Sequence, residues 1–228
     1  MISNNHKSPL ILLEGIDGSG KSSAYVRLQN VLQAFHAKLP VAYTKEPDRN
    51  RPIGREIYQI IEGNHPAFKF DQMSPFHMQA FYIEDRMCNY RENIIPGLQN
   101  GRCVIQDRGI PSSLCYGSDN HKDFYDFMGL HERVFSAAQV PFIWPDMIVV
   151  FDVPAEIAIA RMKKSGKKLD EFETLTKLQK VRLNYLEFVR KYPNCVIVDG
   201  TPENQEAIFI EVRKHVFPVL GIKHPDAK

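Results

Sequence analysis

Lys21 and Ser22 follow a glycine-rich turn in the order that phosphate-binding loops require. Residues 15–22 have the spacing G-x-x-x-x-G-K-S, and the hydrophobic run that begins at Leu10 leads directly into them. In this P-loop pattern, glycines let backbone N–H groups converge on phosphate oxygens at the start of a helix. The lysine reaches the β- and γ-phosphates, and the serine hydroxyl binds Mg²⁺. We therefore predict a phosphate site here, in preference to a chance glycine-rich turn.

A second pair of candidate residues, Asp107 and Arg108, follows a short apolar run at 103–105 that is typical of a buried strand. In an open α/β sheet, ligands lie beyond the carboxyl ends of the strands. An acidic and a basic side chain at this position are therefore site candidates. Asp107 could accept a hydrogen bond from water on Mg²⁺, and Arg108 could bind a phosphate.

Two further charged stretches are most simply interpreted as solvent-exposed segments. Residues 161–173, RMKKSGKKLDEFE, concentrate basic side chains around Gly166 and then turn acidic. Such a run is usually a solvated, mobile loop, but beside a P-loop it also suits a lid that excludes water and adds cations to the transferring group. The charges at 84–86 and Arg91 lie on the polar face of a predicted helix, and by default we expect that face to be solvated.

These positions need strands that bring loops to one edge of a sheet and helices that cover it. Five short β-prone runs are present. One begins at Leu10, and the others occupy 41–44, 103–105, 147–153 and 195–198. Amphipathic helices are predicted at 21–38, 52–63, 74–98, 123–138, 174–191 and 202–216. The alternation predicts an α/β fold: a five-stranded parallel sheet flanked by helices on both faces. We expect one domain over 1–228, with the lid at about 161–173.

Composition limits the remaining function classes. Of the 228 residues, 43% are hydrophobic and 25% are charged, as in ordinary soluble globular proteins. A net charge of +2 argues against a general nucleic-acid surface. The polar N-terminus and the lack of a long apolar run predict a cytoplasmic protein without a membrane partner. The four cysteines are widely spaced, which predicts reduced thiols rather than zinc or disulfides.

With these elements placed, the order of motifs resembles the thymidylate kinase family, the P-loop kinases that phosphorylate dTMP. The resemblance runs from Leu10 to about Val216. The motifs that carry it are LLEGIDGSGKSS, TKEPDRN, FYIEDR, CVIQDR with SSLCYG, PDMIVVFDVP and KKSGKKLDEFE. The P-loop is the most specific of them, and the order of all six strengthens the match.

The resemblance implies roles for particular residues. Those implied for ATP binding are Gly15, Asp17, Gly18, Ser19, Gly20, Lys21, Ser22 and Ser23. Those implied for the acceptor are Glu46, Arg49, Tyr82, Arg86, Arg108, Ser113 and Tyr116. The catalytic set is Lys21, Arg108, Asp17 and Lys167, and the Mg²⁺ set is Ser22, Asp17 and Asp107. A homodimer is also implied.

Several positions depart from the family pattern. Tyr82 stands where a phenylalanine usually stacks on thymine, so an aromatic face is kept. Gly109 replaces a tyrosine or histidine near the sugar, and Ser113 and Gly117 stand where base-reading amides often occur. Gly18 occupies a position where some members carry an arginine. Where that arginine is absent, as in this chain, the lid supplies the cation, a role that would suit the lysines Lys163, Lys164, Lys167 and Lys168.

The leading hypothesis is transfer of the ATP γ-phosphate to dTMP, which gives dTDP and ADP. One alternative is a kinase for another nucleoside monophosphate or for a deoxynucleoside, because a P-loop specifies the phosphates better than the base. A more remote alternative, from a different class, is a nucleotide-binding regulator that does not turn over.

Overall fold

The computed structural model describes residues 1–166 and 173–223, the side chain of His121 excepted. The strands within these ranges are β1 (Leu10–Gly15), β2 (Val41–Lys45), β3 (Cys103–Asp107), β4 (Met147–Asp152) and β5 (Cys195–Asp199). They form a parallel five-stranded sheet in the order β2-β3-β1-β4-β5. The predicted fold class is confirmed.

Helices cover both faces of the sheet. They are α1 (Lys21–Phe35), α2 (Pro52–Ile61), α3 (Pro75–Asn89), α4 (Ile95–Gln99), α5 (Ile110–Gly117), α6 (His121–Ala137), α7 (Ala155–Lys164), α8 (Leu175–Lys191) and α9 (Gln205–Val219). Side chains of α1 and α9 pack in one core, and side chains of α3, α5, α6 and α8 pack in the other.

The central strand β1 joins the two cores. Leu10 and Leu12 belong to one core, whereas Ile11 and Leu13 belong to the other, because successive side chains of a strand point to opposite faces. This explains why β1 is a continuous apolar run rather than an alternating one. Its neighbours are β3 and β4, and Leu13 pairs in register with Asp107. The loops after β1 and β3 therefore emerge side by side.

The long helix predicted at 74–98 begins as expected but is not uniform. Ser74 caps α3 by accepting a hydrogen bond from the His77 amide, and Pro75 occupies the first turn. After α3, a π-helical turn at Tyr90–Ile94 leads into α4. Pro96 has no amide proton for the carbonyl group one turn earlier, and its ring crowds that turn, which accounts for the widened backbone.

Two further sequence predictions concern membrane-spanning helices and the lid. Within the described ranges, no helix combines the length and the apolarity needed to cross a bilayer. The lid predicted at 161–173 begins in the last turn of α7. Its residues 167–172, which include Lys167 and Lys168, lie outside the described residues.

Candidate active site

The P-loop joins the end of β1 to the start of α1. Gly18 has a φ of 77°, and a Cβ there would lie 2.4 Å from the Ala158 carbonyl oxygen. Gly20 caps α1 in the left-handed conformation with a φ of 94°. Ser19 Oγ is buried and has no hydrogen-bond partner in the described parts of the chain. A helix N-terminus beside an unpaired hydroxyl is suited to an anion.

Lys21 and Asp107 form an ion pair across the ends of β1 and β3. The Lys21 Nζ lies 2.6 Å from Asp107 Oδ1, and Ser22 Oγ donates to Oδ2 at 3.3 Å. Burial alone would raise the pKa of Asp107, but Lys21 and Arg108 together with these hydrogen bonds lower it below its usual value. Asp107 is therefore a carboxylate at neutral pH and fixes the position of the lysine cation.

Arg108 is held at the same edge of the sheet. Its Nη2 donates to Asp17 Oδ1 at 2.8 Å, and its Nη1 donates to the Gly15 carbonyl oxygen at 3.1 Å. The Tyr116 hydroxyl donates to the other Asp17 oxygen at 2.9 Å. The predicted residues Asp17, Arg108 and Tyr116 thus form one cluster beside the P-loop.

Glu14, for which the sequence predicts no role of its own, supports the turn after β3. It is fully buried, and its carboxylate accepts from the Gly109 amide at 2.7 Å, the Ser112 hydroxyl at 2.6 Å and the Tyr185 hydroxyl at 2.8 Å. Burial raises the pKa of Glu14, and Arg108 and the hydroxyl donors oppose this only in part. Arg108 has a left-handed φ of 64°, uncommon for a side chain other than glycine. The bonds to Glu14 hold that turn in place.

Two cavities meet at Asp17. The first, here called the α3–α5 cavity, has a volume of about 440 Å³ and includes Asp17 in its wall. Predicted acceptor residues in the same wall are Glu46, Tyr82, Arg86, Arg108, Ser113 and Tyr116. The second, here called the P-loop cavity, has a volume of about 770 Å³. Predicted ATP-binding residues in its wall are Asp17, Gly18, Ser19, Gly20, Lys21, Ser22 and Ser23. Gly15 instead ends β1, where a Cβ would lie 2.7 Å from the Phe151 carbonyl oxygen.

Arg86 of α3 lies inside the fold rather than on a solvated face. It is 2% exposed, and its Nε donates to Glu46 Oε2 at 2.7 Å, while its Nη2 donates to Ser113 Oγ at 3.0 Å. Its Nη1 contacts His131 Nε2, and the other ring nitrogen of His131 lies 2.8 Å from the Phe127 carbonyl oxygen. Burial and the nearby Arg86 hold the pKa of His131 well below its usual value. A neutral His131 therefore donates to Phe127 and accepts from Arg86.

The loop after β2 places its two arginines differently. Arg49, predicted to bind the acceptor phosphate, is 53% exposed, pairs with Glu62 and stacks on Tyr58 at 3.7 Å. Tyr58 is part of the α3–α5 cavity wall, so Arg49 lies beside that cavity, and its phosphate contact stays a prediction. Arg51 is instead buried in a bidentate pair with Asp85, with distances of 2.8 and 2.7 Å. The prediction that the polar face of α3 is solvated is wrong for Asp85, which is 1% exposed.

The far wall of the P-loop cavity comes from α7 and from the segment after β5. Arg161 donates to the carbonyl oxygens of Gly200 at 2.6 Å and of Thr201 at 2.9 Å, which ties the two segments together. Lys164, one of the predicted lid lysines, also lines this cavity. Lys167 lies outside the described residues. Arg161 was predicted only as the first residue of the lid, and its bonds to these carbonyl groups were not, because no sequence pattern marks backbone partners.

Comparison with known proteins decides the family. The family model described as Thymidylate kinase matches residues 13–209. The chain belongs to the thymidylate kinase family. Family membership makes the chain an ATP-dependent kinase, and it supports dTMP phosphorylation over the alternative acceptors and over a regulator without turnover.

Individual members of the thymidylate kinase family match almost end to end. A probable thymidylate kinase of Archaeoglobus fulgidus is 32% identical over 94% of this chain and 97% of that protein. A probable thymidylate kinase of Methanosarcina mazei is 31% identical over 94% of this chain and 98% of its own length. A thymidylate kinase of Pelotomaculum thermopropionicum is 28% identical, with 94% and 95% covered. The similarity therefore extends over both cavities.

Proposed function

We propose that the chain transfers the γ-phosphate of ATP to dTMP, with ATP in the P-loop cavity and dTMP in the α3–α5 cavity. The observation that carries this proposal is that Asp17 lines both cavities, so donor and acceptor sites adjoin at the end of β1. Family membership supports dTMP as the acceptor. Both sites belong to one domain over 1–228, and the products are dTDP and ADP.

In this proposal the chain contributes alignment and positive charge. Phosphoryl transfer requires in-line positioning and neutralisation of the migrating group rather than a dedicated base. Lys21 supplies a cation at the donor phosphates, and Arg108 supplies one where the acceptor phosphate meets them. The carboxylates of Asp107 and Asp17 hold these two cations in place before substrate arrives, so little reorganisation is needed in the transition state.

The acceptor lies with its phosphate towards Arg108 and its base towards Tyr82 and Arg86. Support for this orientation comes from the fold, because Arg108 follows β3 beside the P-loop whereas Tyr82 and Arg86 lie along α3. The basic segment after α7 closes over the donor. Lys164 lines the P-loop cavity and supports this role, and Lys167, outside the described residues, is the catalytic lysine that we propose for the lid.

The residues beside Lys21 suit Mg²⁺. Ser22 Oγ and the Asp107 carboxylate are 3.3 Å apart, and the Asp17 carboxylate is partly exposed. Mg²⁺ prefers oxygen ligands and usually binds through one or two carboxylates together with substrate phosphates. Ser22, Asp17 and Asp107 would hold the ion. When bound, it would neutralise charge on the β- and γ-phosphate oxygens.

A coupled ADP-release assay tests the acceptor. The panel contains dTMP, dUMP, dCMP, AMP and thymidine at fixed ATP and Mg²⁺, with excess EDTA as a control for metal dependence. We expect kcat/KM for dTMP to exceed that for every other acceptor, including dUMP by about tenfold, since one methyl group in an apolar pocket has that effect. Preferred turnover of another acceptor would contradict dTMP while leaving the reaction class intact.

Replacement of Arg108 tests the acceptor side of the site. We expect Arg108→Ala to raise the KM for dTMP and to lower kcat by about 10²-fold, the loss typical of one preorganised charge. ATP binding, measured by calorimetry, should change little. Arg102→Ala is the matched control, because Arg102 is exposed and precedes the other end of β3. Unchanged KM and kcat for dTMP in Arg108→Ala would refute the assignment.

We also propose that the protein is a cytoplasmic homodimer. All four cysteines, which lie in the described ranges, are free thiols, and this supports a reducing compartment. The homodimer is supported by the family resemblance. Light scattering measures the mass directly, and a mass equal to the single-chain value of 26.2 kDa would overturn it.

A further inference from the structure

Gln79 has a buried amide that is only half satisfied. Its side chain is 2% exposed and lines the α3–α5 cavity. Its Nε2 donates to the Ser113 carbonyl oxygen at 3.1 Å. Its Oε1 is buried and has no hydrogen-bond partner among the residues that the structure describes. A buried polar atom without a partner is unfavourable, and in a cavity wall it is a candidate for contact with a ligand.

The orientation of this amide follows from its neighbour. Oxygen and nitrogen of a glutamine side chain are assigned from the hydrogen bonds they make. If the Gln79 amide were rotated by half a turn, Oε1 would face the Ser113 carbonyl oxygen, and two acceptors would oppose each other. The bond to Ser113 therefore requires the NH₂ group there, and the unpaired atom is an acceptor.

Gly117 makes the space in which the amide lies. A Cβ on Gly117 would be 2.5 Å from Gln79 Nε2 and 3.1 Å from Phe127 Cε2. Any side chain at this position would displace the glutamine. The amide thus lies against the α5 backbone at Gly117 and is held by its bond to Ser113, so its acceptor is positioned before a ligand binds.

The Arg86 guanidinium supplies hydrogen-bond donors at Ser113, the residue that also anchors Gln79. Arg86 lies seven residues after Gln79, on the same face of α3, and its Nη2 donates to the Ser113 hydroxyl at 3.0 Å. Gln79 and Arg86 are therefore anchored to the same residue, one through its carbonyl and the other through its hydroxyl. The guanidinium has five N–H donors. Contacts to Glu46, His131 and Ser113 account for three of them within the described chain, which leaves donors for a ligand.

We propose that Gln79 is a specificity-determining residue whose Oε1 accepts a hydrogen bond from the N3–H of thymine, beside the Arg86 guanidinium that the proposed function already places at the base. This inference rests on the proposed function, with dTMP as acceptor. Thymine presents an acceptor at O4 beside a donor at N3, and an adjacent guanidinium and amide oxygen complement that pair. Cytosine presents an amino donor and an unprotonated N3, the reverse order, so both contacts would become repulsive.

The test compares dTMP with dCMP in wild type and in Gln79→Leu, which removes the acceptor but keeps a side chain of similar volume. We expect the KM for dTMP to rise, and the ratio of kcat/KM values for dTMP and dCMP to fall by about ten- to hundredfold, as when a site loses a hydrogen-bonding group. The KM for ATP should not change, because Gln79 lies outside the P-loop cavity. A purely structural role would lower turnover of both acceptors and leave their ratio intact.

Gln99→Leu is the matched control, since Gln99 is exposed at the end of α4, and its ratio should equal that of wild type. If Gln79→Leu does not fold by circular dichroism, Gln79→Met, which keeps the unbranched length, replaces it. An unchanged dTMP to dCMP ratio in the folded variant would overturn the role of Gln79. Preference of the wild type for an acceptor other than dTMP would instead contradict the proposed function.

Discussion

We expect Lys21→Ala to lower kcat with dTMP by about 10²- to 10³-fold, because a preorganised cation at the transferring phosphate has an effect of that size. The Lys21 side chain is 5% exposed and its Nζ is 2.6 Å from Asp107. Little water therefore screens its charge, and electrostatic interactions are strong in such surroundings. ATP affinity should fall less than kcat, since the backbone amides of the P-loop still bind the phosphates. The ADP-release assay and calorimetry measure the two quantities separately.

The same substitution should change how stability depends on pH. The folded-state pKa of Asp107 lies below its usual value, so the pair stabilises the fold at neutral pH, and this contribution is lost as pH falls through the folded-state pKa. Without Lys21, burial is opposed only by Arg108 and by the hydrogen bond from Ser22. The folded-state pKa of Asp107 therefore rises, and a smaller part of the stability is lost as the pH falls. Urea unfolding at neutral and acidic pH detects this shift.

Lys38→Ala is the control for both measurements, because Lys38 is an exposed lysine just beyond the other end of α1. Its kcat and its pH profile of unfolding should match those of wild type. Turnover by Lys21→Ala close to that of wild type would contradict the role of Lys21 in catalysis.

The meeting of Lys21, Asp107 and Arg108 illustrates what the sequence could predict. Each residue follows a short apolar run, and the carboxyl ends of neighbouring parallel strands share one edge of the sheet. Once the runs at β1 and β3 were identified as strands, their polar endings were expected to converge. The P-loop spacing then specified which residue contacts phosphate. Local patterns sufficed because each strand positions the residue that follows it.

The second half of the site depends on how helices pack. Arg51 pairs with Asp85, Arg86 with His131, and Gln79 with Ser113, over separations of 34, 45 and 34 residues. No periodicity marks such contacts, because they arise where α3 packs against α5, α6 and the loop that precedes α2. A signal was present in α3, where Asp85 lies seven residues after Met78 and Arg86 lies three residues after Ile83, so each charge shares a helix face with an apolar residue. Charges so close to a core stripe are buried when a partner of opposite charge faces them.

The buried pair of Arg51 and Asp85 leads to the largest expected effect on stability. We expect Asp85→Ala to lower the free energy of unfolding by about 3–5 kcal/mol, because it leaves a buried guanidinium without its carboxylate. Both side chains are almost fully buried, and the two hydrogen bonds between them are 2.8 and 2.7 Å long. Urea unfolding followed by circular dichroism measures the change. Glu84→Ala is the matched control, since Glu84 is the preceding acid on α3 and is exposed, and its effect should be small.

A double-mutant cycle separates the charge pair from the loss of packing. Arg51→Ala and Asp85→Ala each leave one buried charge, whereas the double variant leaves none, so its cost should be well below the sum of the two single costs. Additive costs, or an effect of Asp85→Ala no larger than that of Glu84→Ala, would contradict the assignment.

Asn89 links this pair to the active site, because it contacts Arg51 and also donates to Glu46, the carboxylate that holds Arg86. Disruption of the pair should therefore also raise the KM for dTMP in any variant that remains folded, while the KM for ATP stays near that of wild type.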